Sequence, residues 1–236
     1  KIENTYVVRF KNQIVSALQI VPFKVKDYED SYFILGVSTR RDYEGQGFMK
    51  LLMNHVLEVY KGKRIYLQAY HPEIYVPFGF KESHRHILYK LDKAKYALPS
   101  RICLSQDINH LYDAYNLYVR DFSHYLIRDE DYFNNYLRKR CAAFNDSILT
   151  FKNEYGQQGY MIYNGKGKFV YISEFIYSKE YLDDILKTIS VYFYKDIRIE
   201  TDCMASIHGE KTDMITMMCN QEDDIPLEKR YINEIY

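Results

Sequence analysis

The residues of this chain that could do chemistry gather between Tyr32 and Phe80. Arg40-Arg41-Asp42-Tyr43-Glu44-Gly45-Gln46-Gly47 is a polar turn holding two glycines. It follows Tyr32-Phe33-Ile34-Leu35-Gly36-Val37, a short apolar run that reads as a buried strand. It precedes Phe48 to Tyr60, where Met49, Leu52, Met53, Val56, Leu57 and Tyr60 recur at the spacing of one helix face. A strand that feeds such a turn and then a helix leaves the first-turn N–H groups unpaired. The helix dipole adds positive potential there, which suits a phosphate. The same pattern also fits an ordinary strand–helix connection that binds nothing, because short glycine motifs recur by accident. A second segment, His71-Pro72-Glu73-Ile74-Tyr75-Val76-Pro77-Phe78-Gly79-Phe80, sets a tyrosine inside a helix of one or two turns bracketed by proline and glycine. In a chain with 26 tyrosines, Tyr75 taken by itself reads as a packed aromatic.

These residues need a framework. Tyr6 to Phe10 and Ile14 to Phe23 read as strands joined at the short turn Lys11-Asn12-Gln13. With the strand before the glycine turn they make a meander of three. Lys61-Gly62-Lys63 ends the helix, Arg64 to Tyr70 is a further strand, and Ser83 to Leu91 another. Pro99 and Ser100 mark a change of character. Beyond them, Ile108, Leu111, Tyr112, Tyr115 and Val119 share a helix face, and a second helix spans Asp129 to Phe144. Strands at Ile148 to Asn153, Gly159 to Tyr163 and Lys168 to Phe175 come next, the last two joined by Asn164-Gly165-Lys166-Gly167. A helix over Lys179 to Tyr194 and strands at Asp196 to Asp202 and Asp213 to Cys219 complete the second half.

Composition narrows the classes. The 236 residues are nearly half apolar, enough for one large core or two smaller ones. The 32 basic and 32 acidic residues balance, so nothing suggests a nucleic-acid footprint. No apolar run reaches the ~20 residues of a membrane-spanning helix, and no signal peptide is visible. Cys103, Cys141, Cys203 and Cys219 show no metal-ligand spacing. A cytoplasmic protein with buried thiols and no metal is the expectation. Lys1 stands where a methionine would, a few residues before a strand, so the chain is expected to be incomplete at its N-terminus.

The stretch V-S-T-R-R-D-Y-E-G-Q-G-F-M-x-x-L-L resembles the coenzyme A loop of the Gcn5-related N-acetyltransferases, the GNAT superfamily. Its signature, Gln/Arg-x-x-Gly-x-Gly/Ala, falls on Glu44, Gly45, Gln46, Gly47, Phe48 and Met49, and Gly47 matches the central glycine. Two positions depart from it. A large apolar residue such as Met49 also occurs in the Eis-type branch, whereas the Glu44 carboxylate repels a pyrophosphate unless it turns outward. The segment I-Y-x-x-F-G-F is similar to the Ile-Tyr-x-x-Phe-Gly-Tyr/Phe of Eis-type enzymes. The resemblance implies that Tyr75 is the general acid returning a proton to the coenzyme A thiolate. It implies that main-chain groups of Leu35, Gly36, Val37 and Thr39 hold the pantetheine arm and thioester, and that the amides from Gly45 to Met49 hold the pyrophosphate. Arg40 and Arg41 are within chain reach of the phosphates. The family further implies that the C-terminal carboxylate, here on Tyr236, acts as base. Glu73, His71, His84 and His86 are bases by chemistry alone.

The second half repeats the GNAT order of elements, but Ile176-Tyr177-Ser178-Lys179-Glu180 stands where a glycine loop would be. The expected fold class is therefore α/β, with two tandem GNAT-like domains of mixed, mostly antiparallel sheet flanked by helices. Residues 1–97 would carry the acetyl-CoA site, 98–220 a degenerate copy, and 221–236 a tail. The implied activity is transfer of acetyl from acetyl-CoA to a primary amine of a small molecule or peptide, with a homo-oligomer left open. The alternative is a non-catalytic coenzyme A-binding or scaffold protein.

Overall fold

A computed structural model describes residues 4–28 and 30–233. In chain order the strands are β1 (Thr5–Phe10), β2 (Gln13–Pro22), β3 (Ser31–Thr39), β4 (Arg64–Ala69), β5 (Lys81–Leu91), β6 (Cys103–Ser105), β7 (His124–Tyr125), β8 (Ser147–Asn153), β9 (Gly156–Asn164), β10 (Val170–Tyr177), β11 (Ile197–Thr201), β12 (Gly209–Cys219) and β13 (Arg230–Tyr231). The helices are α1 (Phe48–Val59), α2 (Leu111–Val119), α3 (Arg138–Phe144) and α4 (Leu182–Tyr192). The helix expected over Asp129 to Phe144 is present, but its first half, Tyr132–Leu137, winds as a π-helix.

Two compact units share the chain. Unit 1 is the chain up to His84 together with Ile215–Leu227, and unit 2 is Arg85–Met214 with the stretch from Glu228. Each is a mixed, mostly antiparallel sheet with one parallel pair, flanked by helices, as the sequence pattern leads one to expect.

In unit 1 the sheet order is β1-β2-β3-β4-β12. Lys11 and Asn12 turn the first hairpin with φ of 47° and 60°, the positive values a two-residue turn needs. Helix α1 buries Leu52, Met53 and Val56 against Leu18, Ile20, Ile34, Ile65 and Leu67 of the strands. Each such side chain contributes about 1.5–3 kcal/mol by leaving water. The last strand comes from far along the sequence: Thr216 to Cys219 of β12 pair antiparallel with Ala69 to Tyr66 of β4. Arg64 clamps the turn that leaves β12. Its Nη1 donates to Asp223 at 2.8 Å, both side chains are 6% exposed, and its guanidinium lies 3.6 Å from the centre of the Tyr28 ring.

In unit 2 the strands run β5-β11-β10-β9-β8-β6, and β13 pairs in parallel with β7. Its core takes in Tyr115, Leu137, Phe151, Tyr160, Ile172, Phe175, Ile185 and Tyr231. Of the four cysteines, Cys141 and Cys219 are buried as expected; Cys103, on the short edge strand β6, is exposed instead, and Cys203 is half-buried.

Candidate functional site

The site is organised by the way β3 leaves its neighbour. β3 and β4 pair in parallel only from Ser31–Arg64 to Ile34–Leu67. On its other edge β3 keeps its bonds to β2, but Gly36 and Val37 together oppose Leu18. This bulge is made by Gly36 at φ 62°, a conformation glycine adopts without strain. From Leu35 to Thr39 the β4-facing edge of β3 is therefore outside the ladder, and its main-chain groups have no pairing with β4. Pantetheine, with two amides, needs polar groups of this kind.

Beyond β3 the chain makes a 3₁₀ turn over Arg41–Tyr43 and enters α1 through Gly45 and Gly47, at φ 74° and 84°. A side chain at either glycine would meet no atom within 4 Å, so the backbone conformation and not crowding requires them. The amide of Leu51 reaches the Gly47 carbonyl at 2.9 Å, and the Glu44 amide reaches Arg41 at 3.3 Å. Among the described residues no main-chain acceptor serves the amides between them, from Gly45 to Lys50, and no side chain caps the helix. No acidic side chain lies in the first turn of α1. A row of unpaired donors at the positive end of a helix fits a diphosphate. Gln46 bridges the loop by donating to the Asp42 carbonyl at 3.1 Å, and Glu44 is exposed.

The two arginines differ. Arg40 is occupied at the outer side: it donates to Gln13 Oε1 at 2.7 Å and sits 3.6 Å from the Asp42 carboxylate. Arg41 is exposed. One feature here escapes sequence reading. Phe10 of β1 meets Phe48 at 5.4 Å and Tyr43 at 6.0 Å between ring centres, which forms an aromatic ledge beside the loop. No local pattern in the hairpin signals that Phe10 belongs there.

Tyr75 lies between two 3₁₀ turns, Pro72–Ile74 and Val76–Phe78. It packs with Val37, Met49 and Phe78 against the same core cluster that holds α1 to the sheet, and its ring meets Phe80 edge-on at 6.3 Å. Burial raises its pKa above the usual value, so it remains a phenol at neutral pH. Among the described residues no hydrogen-bond partner is assigned to its hydroxyl. The structure thus brings Val37, Met49 and Tyr75 onto one cluster.

The bases considered from sequence fare differently. His71 and Glu73 pair with each other at 3.3 Å on the surface. His84 and His86 are both buried, and His86 Nδ1 lies 2.8 Å from Glu200 inside unit 2. Neither histidine is open to an amine. Tyr236 lies outside the described residues. Among the described residues no group of three or more His, Cys, Asp or Glu is placed to hold a metal, and no helix is long and apolar enough to cross a membrane.

Comparison with known proteins bears on the fold. Residues 1–83 match the family model described as "Acetyltransferase (GNAT) domain". No curated protein matches the chain. Among solved structures, a GCN5-related N-acetyltransferase from Kribbella flavida is 15% identical, with a TM-score of 0.66 over 92% of this chain and 59% of that one. Eis1 from Mycobacterium abscessus is 11% identical, with a TM-score of 0.59 over 92% and 65%. A tandem GNAT protein from the clavulanic acid biosynthesis pathway is 13% identical, with a TM-score of 0.56 over 94% and 85%. The chain spans about 59–63% of the length of the first three solved structures it matches. Residues 1–83 thus match the GNAT domain model, and the chain shares its fold with GNAT proteins that include a tandem one.

Proposed function

We propose that unit 1 transfers an acetyl group from acetyl-CoA to a primary amine of a small molecule or peptide, with both substrates bound together. The observation that carries this reading is the departure of β3 from β4 after Ile34, followed directly by a helix start whose amides are unpaired. Bound acetyl-CoA supplies an activated thioester. Gly45 to Met49 hold its pyrophosphate through their N–H groups. Leu35, Gly36, Val37 and Thr39 offer N–H and C=O groups to the pantetheine amides and to the thioester oxygen, where charge develops when the amine attacks. As the C–N bond forms and the C–S bond breaks, the Tyr75 phenol gives its proton to the departing sulfur; the proton lost by the amine passes to solvent water, from which the Tyr75 phenolate is reprotonated. A phenol kept neutral by burial is suited to that donation.

A non-catalytic coenzyme A-binding or scaffold protein is the second reading, favoured by Glu44 standing where the family signature has Gln or Arg. Calorimetric titration with acetyl-CoA, beside a Gly47→Glu variant, tests the site. Screening amines for coenzyme A release then tests the reaction. Binding that Gly47→Glu abolishes, with turnover, is the expected result. Binding without turnover on any amine leaves the scaffold, and no binding removes both.

A further inference from the structure

Unit 2 repeats the strand–helix–strand arrangement of unit 1, but its gap is filled. β10 pairs in parallel with β11 only over Val170–Ile172 against Ile197–Ile199. A register shift on the β9 side then sets Ser173 apart, between Ile172 and Glu174. In unit 1 the bulge at Gly36 comes after the last parallel pair in the same way. In unit 2 a segment of the same chain meets the bulge residue. Asn233 donates from Nδ2 to the Ser173 carbonyl at 3.1 Å, and its own carbonyl accepts from Arg128 Nη2 at 2.5 Å.

That carbonyl is held from below by a buried charge network. Arg128 Nη1 donates to both oxygens of Glu174 at 2.9 Å, and the Tyr160 hydroxyl donates to the same carboxylate. The guanidinium lies 4.6 Å from the Tyr115 ring centre and 4.7 Å from that of Tyr132. Tyr231 fills the apolar side. Its ring meets Tyr118 edge-on at 4.9 Å and stacks on His86 at 6.1 Å. Tyr231, Ile232 and Asn233 are at most 3% exposed.

The helix start tells the same story. Between β10 and α4 the chain takes a 3₁₀ turn over Lys179–Tyr181, with no glycine, and α4 opens with Asp183 and Asp184. Carboxylates there satisfy the helix dipole, and they are already paired, Asp183 with Lys187 and Asp184 with Arg101 and Lys187.

We infer that Arg230–Asn233 is an internal ligand of unit 2: a side-chain amide and an aromatic ring of the chain occupy the position that, on the proposed function, the pantetheine arm takes in unit 1. An amide N–H bonded to the bulge carbonyl is what a pantetheine amide would supply, and an apolar gap left unfilled would cost stability as a cavity. Unit 2 is complete without a co-substrate, and the chain binds one acetyl-CoA.

The test supplies the segment in trans. A Tyr231→Ala/Asn233→Ala variant of the full chain should lose several degrees of melting temperature. A blocked peptide Lys-Arg-Tyr-Ile-Asn, the sequence of residues 229–233, should restore part of that loss at millimolar concentration and leave the parent protein unchanged. A destabilised variant that ignores the peptide overturns the inference. If the double variant does not fold, Asn233→Ser serves: exchange of the main-chain amides at positions 232 and 233 should quicken about tenfold or more, and unchanged exchange overturns it. Titration gives a separate arm. One acetyl-CoA per chain, lost in Gly47→Glu, is expected; a second site that survives Gly47→Glu overturns the inference and leaves the reading of unit 1 intact. Absence of all binding defeats the reading of unit 1, and the peptide and exchange results still decide the internal ligand.

Discussion

β3 with α1 and β10 with α4 are two solutions to one local problem. Each strand pairs in parallel with its successor for a few residues, bulges, and parts from it. In unit 1 the parting leads to glycines at positive φ and a helix start bare of acids. In unit 2 it leads to a tight 3₁₀ turn, two aspartates and a buried strap of the chain's own residues. The difference teaches that the parting of the parallel pair recurs in both units, whereas glycines at positive φ and a helix start without acids accompany it in only one. In the other, the chain fills the place from within.

The largest effect should come from breaking the filled copy. Arg128→Met leaves the Glu174 carboxylate buried at 0% side-chain exposure without its cation, and the cost should be about 3–5 kcal/mol in urea unfolding. A loss under about 1 kcal/mol would mean that the network does not hold the strap. The open copy is probed next. Tyr75→Phe should slow turnover roughly 100-fold or more, with acetyl-CoA affinity nearly unchanged, because a general acid acts on the leaving group and not on binding. Equal loss in both quantities would make Tyr75 a packing residue. Gly47→Glu puts a carboxylate and an L-residue at φ 84° among the loop amides, and should weaken acetyl-CoA roughly tenfold or more by calorimetry. The corresponding change Ser178→Glu in unit 2 should leave that affinity alone.

Near neutrality the smallest effect is that of pH, yet it separates the units in alkali. Burial raises the pKa of Tyr118, Tyr160, Tyr177 and Tyr231 in unit 2. In unit 1 it raises those of Tyr66 and Tyr75, and that of Tyr60 to about 12. The folded state thus keeps protons that the unfolded chain releases near pH 10. This stability is full below pH 10 and lost as the pH climbs above it. Tyrosine absorbance tracked with circular dichroism should show unit 2, with its denser set, losing structure as its tyrosines ionise. Ionisation near pH 10 with structure intact would contradict their burial.

Much of the site is legible in the sequence because it is local. The run from Tyr32 to Tyr60 names its strand, its turn and its helix by residue type alone, and the positions of Gly45 and Gly47 reflect the backbone they must adopt. The short helical turns around Tyr75 are likewise marked by Pro72, Pro77 and Gly79. Non-local pairing is not legible. A strand can be read at Asp213 to Cys219, but nothing in those residues says that Thr216 to Cys219 will pair with β4. The stretch from Gln221 reads as a tail, yet its residues Tyr231 to Asn233 are among the most buried in unit 2. The histidines of β5 suggest chemistry by type, whereas packing gives His86 to Glu200.

By itself the sequence determined the longer strands and helices, the glycine loop and the lack of one in the second half, since these rest on backbone preference and short-range periodicity, but not the short strands β6, β7 and β13. Only the tertiary structure decided which strand completes unit 1, how far β3 stays with β4, and what fills the gap beside β10. Those outcomes depend on hydrogen bonds and buried charges between residues distant in sequence, such as Arg128, Glu174 and Asn233, whose partners no local pattern specifies.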